Sequence, residues 1–301
     1  MDTQTLKYIG KDLYKTHILK EWKRYIVFMT RCHLHKGQIN DLLDFFKATP
    51  QRQAMLEHTT SFVEQTTRAF FYKDSTWDER IAIVKNHIEY MENIFNDEAI
   101  AKLYVNGERI RLWEDVYEEQ PVVMELWFHG GQRKEGCLSL VLSLGADELY
   151  QIMFWLAPSP EDNKLSLWIG ALQGTPNGSE IIKGLTKAFF GYRTKNLIFY
   201  GIRNVAAGLG CKHLHAVSNT GYYAMNHVRR DRKLKTSLDD FWQECEGQVC
   251  KDQRFFEMPI EEYRKSMEEL KPSKRAQHRR RFAKMDEITE SVTEVLNNYK
   301  K

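Results

Sequence analysis

The run "PVVMELWFH" (residues 121–129), with "CLSLVLSL" (137–144), "ELYQIMFWL" (148–156) and "LSLWIGALQ" (165–173) behind it, decides the fold. In these runs apolar residues alternate with polar ones or fill the whole run, the patterns of half-buried and fully buried strands. The connections "GGQRKEG" (130–136), "GAD" (145–147) and "APSPEDNK" (157–164) are short and polar. Strands joined so briefly must reverse direction, which predicts an antiparallel meander.

Working outward, the period changes to that of helices on both sides. Upstream, "GQINDLLDFFKATP" (37–50) puts Ile39, Leu42, Leu43 and Phe46 on one stripe, with Pro50 expected to end it. "WDERIAIVKNHIEYMENIF" (77–95) repeats the pattern through Ile81, Val84, Ile88 and Met91, with Thr76 or Asp78 as cap. Downstream come "SEIIKGLTKAFFGYR" (179–193) and "KNLIFYGIRNVAAGLG" (195–210), then a short strand "KHLHAVSN" (212–219) and another at "RFFEMP" (254–259). A terminal helix is expected over roughly 261–297, interrupted at Pro272. This order predicts an α+β fold, a mostly antiparallel central sheet flanked by helices. It divides the chain into a helical lobe (1–110), a sheet-bearing core (111–260) and a basic helical segment (261–301).

The chain has 301 residues, 42% hydrophobic and 12% aromatic, with a formal charge of +3, which fits a folded globular protein and excludes a disordered one. Any basic surface must therefore come from clustering. The first thirty residues carry Lys every few positions and have no uninterrupted apolar stretch with a small-residue cleavage site, so no secretory signal is expected, and no 18-residue apolar run occurs. The expected location is cytoplasmic, with a basic face able to touch the inner membrane as a peripheral protein. Cys32, Cys137, Cys211, Cys245 and Cys250 are scattered, as reduced thiols would be.

Several residue clusters are candidates for chemistry. Glu125 and His129 share a strand face with Trp127, a base and an acid for proton transfer if a substrate amine approaches; an ordinary strand surface is the alternative. Beyond the strand at 212–219, Asn219, Tyr222, Tyr223 and Asn226 precede Arg229, Arg230, Arg232, Lys233 and Lys235. Strand ends gather ligand sites, so this reads as an anion or nucleotide-like site, or else a turn with an exposed helix. Within "KPSKRAQHRRRFAK" (271–284), Lys274, His278 and Arg281 form one helical row beside Arg275 and Arg279, with Arg280 adjoining. Such a stripe meets phosphates, anionic lipid or an acidic protein face, or is simply solvated. Nucleic acid is the less expected partner, because no RNA- or DNA-binding module is present.

His213 and His215 share a face, yet no further ligand is evident and Cys245-x4-Cys250 is a poor zinc pair, so no metal site is expected. There is no Gly-x-Ser-x-Gly elbow, Walker loop or dinucleotide fingerprint.

The segments "EGCLSLVLSLGADELYQIMFWLA", "LWIGALQG", "GLTKAFFGYRTKNLIFYGIRNVAAGLGCKHLHAVSN", "DFWQE" and "KPSKRAQHRRR" resemble the VirK/YbjX family, a bacterial domain of unknown function (DUF535). The resemblance spans nearly the whole chain. It implies an association with virulence, cell-envelope integrity, surface-protein display and tolerance of antimicrobial peptides. Its hallmark basic segment falls here on Lys274, Arg275, Arg279, Arg280 and Arg281.

A second likeness is to the acyl-CoA N-acyltransferase (GNAT-like) fold, where a meander leads into a glycine-containing loop and a helix whose N-terminus holds a pyrophosphate. "LQGTPNGSEII" (172–182) stands where that loop would be. The likeness implies that Gln173, Gly174, Asn177, Gly178 and Ser179, with Asn219, bind acyl-CoA or another phosphorylated acyl donor, and that Tyr222 joins Glu125 and His129 in catalysis. The spacing departs from the usual Gln/Arg-x-x-Gly-x-Gly/Ala, because Gln173 is followed directly by Gly174. The competing reading is a non-catalytic adaptor that binds anionic lipid, nucleic acid or an acidic protein through its arginine-rich helix.

Overall fold

The four runs form consecutive antiparallel strands in a computed structural model that describes residues 3–129, 133–175, 178–226 and 236–301. They are β2 (Gln120–Trp127), β3 (Leu138–Leu144), β4 (Asp147–Pro158) and β5 (Leu165–Gly174). A strand not anticipated from the sequence, β1 (Arg109–Tyr117), pairs with the outer edge of β2. Its alternation is broken by an irregularity between Arg111 and Trp113, which places both Leu112 and Trp113 in the core and hides the period of two.

After β5 the chain crosses one face of the sheet as α8 (Ser179–Ala188) and α9 (Thr194–Gly208) before β6 (His213–Val217) returns parallel to β5. Then come α10 (Leu238–Glu244) and the short strands β7 (Gln248–Val249) and β8 (Phe255–Met258). Among the described residues the sheet has eight strands in the order β1-β2-β3-β4-β5-β6-β8-β7, of which only β5 and β6 are parallel. The protein is thus α+β, with a mostly antiparallel sheet covered by helices.

Among the described residues seven helices precede the sheet: α1 (Thr3–Leu13), α2 (Leu19–Leu34), α3 (Lys36–Lys47), α4 (Pro50–His58), α5 (Ser61–Thr67), α6 (Trp77–Ile94) and α7 (Asp97–Tyr104). Thr76, not Asp78, caps α6: its hydroxyl accepts from Glu79 N, and Glu79 Oε2 accepts from Thr76 N at 2.6 Å. Two orphan amides are satisfied reciprocally. Pro50 opens α4 at its first position, two residues after α3 has closed at Ala48.

Helix α6 packs on the face of β4 that carries Trp155, and His87 from α6 reaches into the sheet, where its Nδ1 accepts from Leu156 N at 3.1 Å. Complete burial lowers His87 to about 3, so the ring is a neutral acceptor. Helix α9 covers the opposite face, where a side chain at Gly201 would collide with Met124 Sδ. The last helix, α11 (Pro272–Tyr299), lies against α9 and β1. It begins at Pro272 instead of being interrupted there, because a missing N–H costs nothing in the first turn. One continuous hydrophobic core joins the N-terminal helices, the sheet, α9 and α11. Among the described residues no helix is long and apolar enough to cross a membrane.

Candidate functional site

β5 and β6 pair only from Ser166 to Ile169 with His213 to Ala216. Beyond that point β6 ends at Val217 while β5 continues to Gly174 along β4 alone, which leaves the C-terminal end of β5 without a β6 neighbour, a fork in the sheet. A crevice at a change of strand direction is where open sheets bind ligands.

The fork is bridged by the connection between β2 and β3. The β4–β5 register shifts at Met153/Phe154, which leaves Gly170 as an extra residue on β5. Glu135 crosses directly above it: a Cβ at Gly170 would run into the Glu135 carbonyl, so only glycine fits. A Cβ at Gly136 would likewise collide with the backbone of Phe154, and Cys137 N donates to Phe154 O at 2.9 Å, starting the β3 ladder.

This crossing lowers the Glu135 side chain into the fork. It is 4% exposed, and its Oε1 accepts from Gln173 Nε2 and from the Tyr222 hydroxyl, both at 3.0 Å. Burial pushes the carboxyl up from 4.5 to about 7, although the Tyr222 bond, the Lys134 charge and the Gln173 bond each pull it back. Tyr222 is pushed far above its ordinary value by burial and by the Glu135 charge, so the phenol keeps its proton. A carboxyl balanced between its two states near neutrality, beside a phenol that stays protonated, is suited to proton transfer.

The helical lobe clamps both partners. Phe71 N donates to Lys134 O at 2.8 Å, Lys73 N donates to Gly221 O at 2.7 Å, and Tyr72 bridges Tyr222. Phe71 holds a φ of 66°, a left-handed conformation that costs a bulky residue about 1–2 kcal/mol and persists because both flanking bonds enforce it. From α5, Gln65 Nε2 donates to Gly136 O at 2.7 Å. Behind it, fully buried Glu64 accepts from Tyr14 at 2.6 Å and pairs with Arg68 and Arg133, anchoring the start of the crossing segment.

Of the residues singled out in the sequence, Gln173 and Tyr222 meet at Glu135. Glu125 lies in the same cross-strand row as Gln173 (Glu125, Val141, Gln151, Gln173), three strands or about 14 Å away. Its carboxylate is held by Arg109 at 3.1 Å and Arg111 at 3.2 Å. His129 lies past the end of β2 with its ring tilted against Trp127, centroids 4.5 Å apart.

A Cβ at Gly174 would press into the Tyr150 ring, Gly178 is the N-cap of α8, and Ser179 is its first residue. Asn219 ties down the start of α10, whose N-cap is Ser237: its Oδ1 accepts from Leu238 N at 2.7 Å, and its own N–H donates to Asp239 at 2.6 Å. Asn177, Arg229 and Arg230 lie outside the described residues.

The basic row sits elsewhere. Arg281 donates to Phe190 O at 2.9 Å, at the C-terminal end of α8, about 15 Å from that helix's start. Arg275 donates to Leu270 O. Lys274, Arg279 and Arg280 are exposed, with no carboxylate partner among the described residues.

Glu135 itself was hidden in the sequence, because "GGQRKEG" reads as turn chemistry. The available signal was length: the connection is longer than a tight turn needs, and Glu135 is its only acid.

A family model described as "Protein of unknown function (DUF535)" matches residues 17–294. The chain belongs to the DUF535 family. This DUF535 chain is 31% identical over 131 residues to the Escherichia coli protein described as uncharacterized protein YbjX, a match covering 42% of the chain and 39% of that relative. It is 21% identical over 270 residues to an uncharacterized protein of Haemophilus influenzae, covering 87% of each. No solved structure matches the DUF535 chain.

Proposed function

We propose that this DUF535 protein transfers an acyl group from a phosphorylated thioester donor, such as acyl-CoA, to an amine, with Glu135 as proton acceptor. The observation that carries this reading is the buried Glu135 carboxyl, pushed up to about 7 and hydrogen-bonded to Tyr222 and Gln173 at the fork of the parallel β5–β6 pair. The meander leading into a parallel pair, with a helix starting just past the fork, also supports the likeness to the GNAT-like fold. Backbone N–H groups at the start of α8, after Gly178, would receive the donor's phosphates.

The acceptor nitrogen attacks the acyl carbon, forming a C–N bond and breaking the C–S bond. Glu135 takes the nitrogen's proton. Tyr222 gives its hydroxyl proton to the departing thiolate and recovers one from Glu135 along their existing hydrogen bond, so both groups return to their starting states.

The test is thermal shift with acyl-CoA, followed by mass spectrometry of amine acceptors. A ligand of the native state must raise the melting temperature, and Glu135→Gln should still show the rise while losing product by about a hundredfold or more. An unchanged melting temperature at saturating acyl-CoA rejects the donor. The cellular setting we assign is cytoplasmic, serving the envelope functions that the VirK/YbjX resemblance implies.

The exposed Lys274, Arg279 and Arg280 favour a second reading, an adaptor whose first α11 turns dock on anionic lipid or an acidic protein face. It predicts salt-sensitive binding that does not depend on Glu135.

A further inference from the structure

The opposite ends of β5 and β6 carry a second cluster, built from residues that the sequence keeps far apart. His213 opens β6, with its Nδ1 3.0 Å from Glu257 Oε1 on β8 and its Nε2 3.2 Å from Asp162 Oδ1 in the β4–β5 connection. Glu161, next to Asp162, completes a trio: donor atoms of Glu161, His213 and Glu257 all lie within 4.8 Å of one another. On the same face, His215 is 2% exposed, with Nδ1 3.9 Å from Cys250 Sγ and Nε2 without a hydrogen-bond partner.

The charges do not balance. Three carboxylates surround one imidazole, and Lys164 is committed to Asp162 at 2.9 Å. Among the described residues neither Glu161 nor Glu257 has a lysine or arginine partner. A divalent cation would neutralise the pair.

We infer that this cluster is a zinc site, with His213 Nδ1, Glu257 and Glu161 as ligands. One nitrogen and two carboxylates leave a fourth tetrahedral position for water or for Cys250 after a side-chain rotation. Asp162 supplies what a metal-bound histidine needs behind it: a carboxylate that accepts Nε2–H, fixing the tautomer and turning the Nδ1 lone pair toward the metal. Closing the trio requires its donor atoms to draw in to about 2.0–2.2 Å from a common centre, which the exposed Glu161 side chain can do by rotation. The ion would tie the β4–β5 connection to β8 across the start of β6. The length of β6, about 13 Å, separates it from Glu135, so its part is to clip the closed end of the parallel pair.

The experiment is zinc titration of the metal-free, untagged full chain by calorimetry, with a chromophoric chelator as competitor. One zinc per chain is expected. Glu161→Gln, at an exposed site where folding is not at stake, should weaken binding at least tenfold, and Asp162→Asn should weaken it about tenfold through the outer carboxylate. His213→Ala should abolish it, with circular dichroism confirming the fold. No stoichiometric uptake by the wild type overturns the site. So does uptake that Glu161→Gln and His213→Ala leave unchanged, including uptake lost only in Cys250→Ser.

Discussion

The Tyr222 hydroxyl donates to Glu135 Oε1 at 3.0 Å across 87 residues of chain, and Gln173 meets the same oxygen from 38 residues away. Three segments that share no local pattern thus converge on one carboxyl, and its proton affinity reports on all of them.

The first consequence is a pH dependence of stability. Glu135 binds its proton at about 7 in the fold, against an ordinary value of 4.5. Between those values the folded protein keeps a proton that the unfolded chain has released. Its contribution is therefore complete below about 4.5, declines as pH rises, and is gone above about 7, a fall of at most about 3 kcal/mol. Urea unfolding of wild type and Glu135→Gln across pH 4 to 8 should show this decline in the difference between the two curves, because buried His87, lowered to about 3, makes both rise over part of the same range; parallel curves would refute it.

Tyr222→Phe removes the hydroxyl that favours the ionised carboxylate. The Glu135 titration should then move above about 7; under the proposed mechanism acyl transfer falls sharply, because the thiolate loses its proton donor, and the pH–rate curve of the residual activity shifts upward. Carbon-13 NMR of the labelled carboxyl reads this directly, and a downward shift would contradict the geometry.

Gly170→Ala places a methyl group against the Glu135 carbonyl, in backbone that has no side chain to rotate away. Destabilisation of about 3 kcal/mol is expected, at the upper end for overpacking, and under the proposed acyl-transfer reading product formation is lost as well. A variant of wild-type stability would mean that the crossing segment does not lie where it is described.

Reversing Arg279 and Arg280 together to Glu should leave stability within about 0.5 kcal/mol, since neither is buried or ion-paired with a described residue. Under the adaptor reading, the same variant loses sedimentation with anionic vesicles. Arg281 is a poor choice for this test because its guanidinium holds the Phe190 carbonyl, and its loss would loosen α11.

The meander was legible because Val122, Met124, Leu140, Leu142, Ile152 and Leu167 are all buried along strands whose turns leave no alternative register. Helix α6 was legible for a similar reason, since its stripe and its Thr76 cap are local signals. The site was not. Gln173 and Tyr222 stood out as polar residues at strand ends, but Glu135 draws its character from burial by segments 60 to 90 residues distant. His213 likewise gave no hint of its carboxylate neighbours, which arrive from Asp162 and Glu257. Local periodicity records which way a side chain faces, not which distant segment will cover it.

The parallel seam between β5 and β6 also sets an order of events during folding. β1 to β5 are sequential neighbours that can zip up through short-range contacts, whereas β6 must wait for α8 and α9 to cross the sheet. The Glu135 environment therefore matures late, after most of the core has formed. In pulse-labelled hydrogen exchange, the amides of β3 and β4 should gain protection before those of β6, and a refolding chain should regain its spectrum before its chemistry.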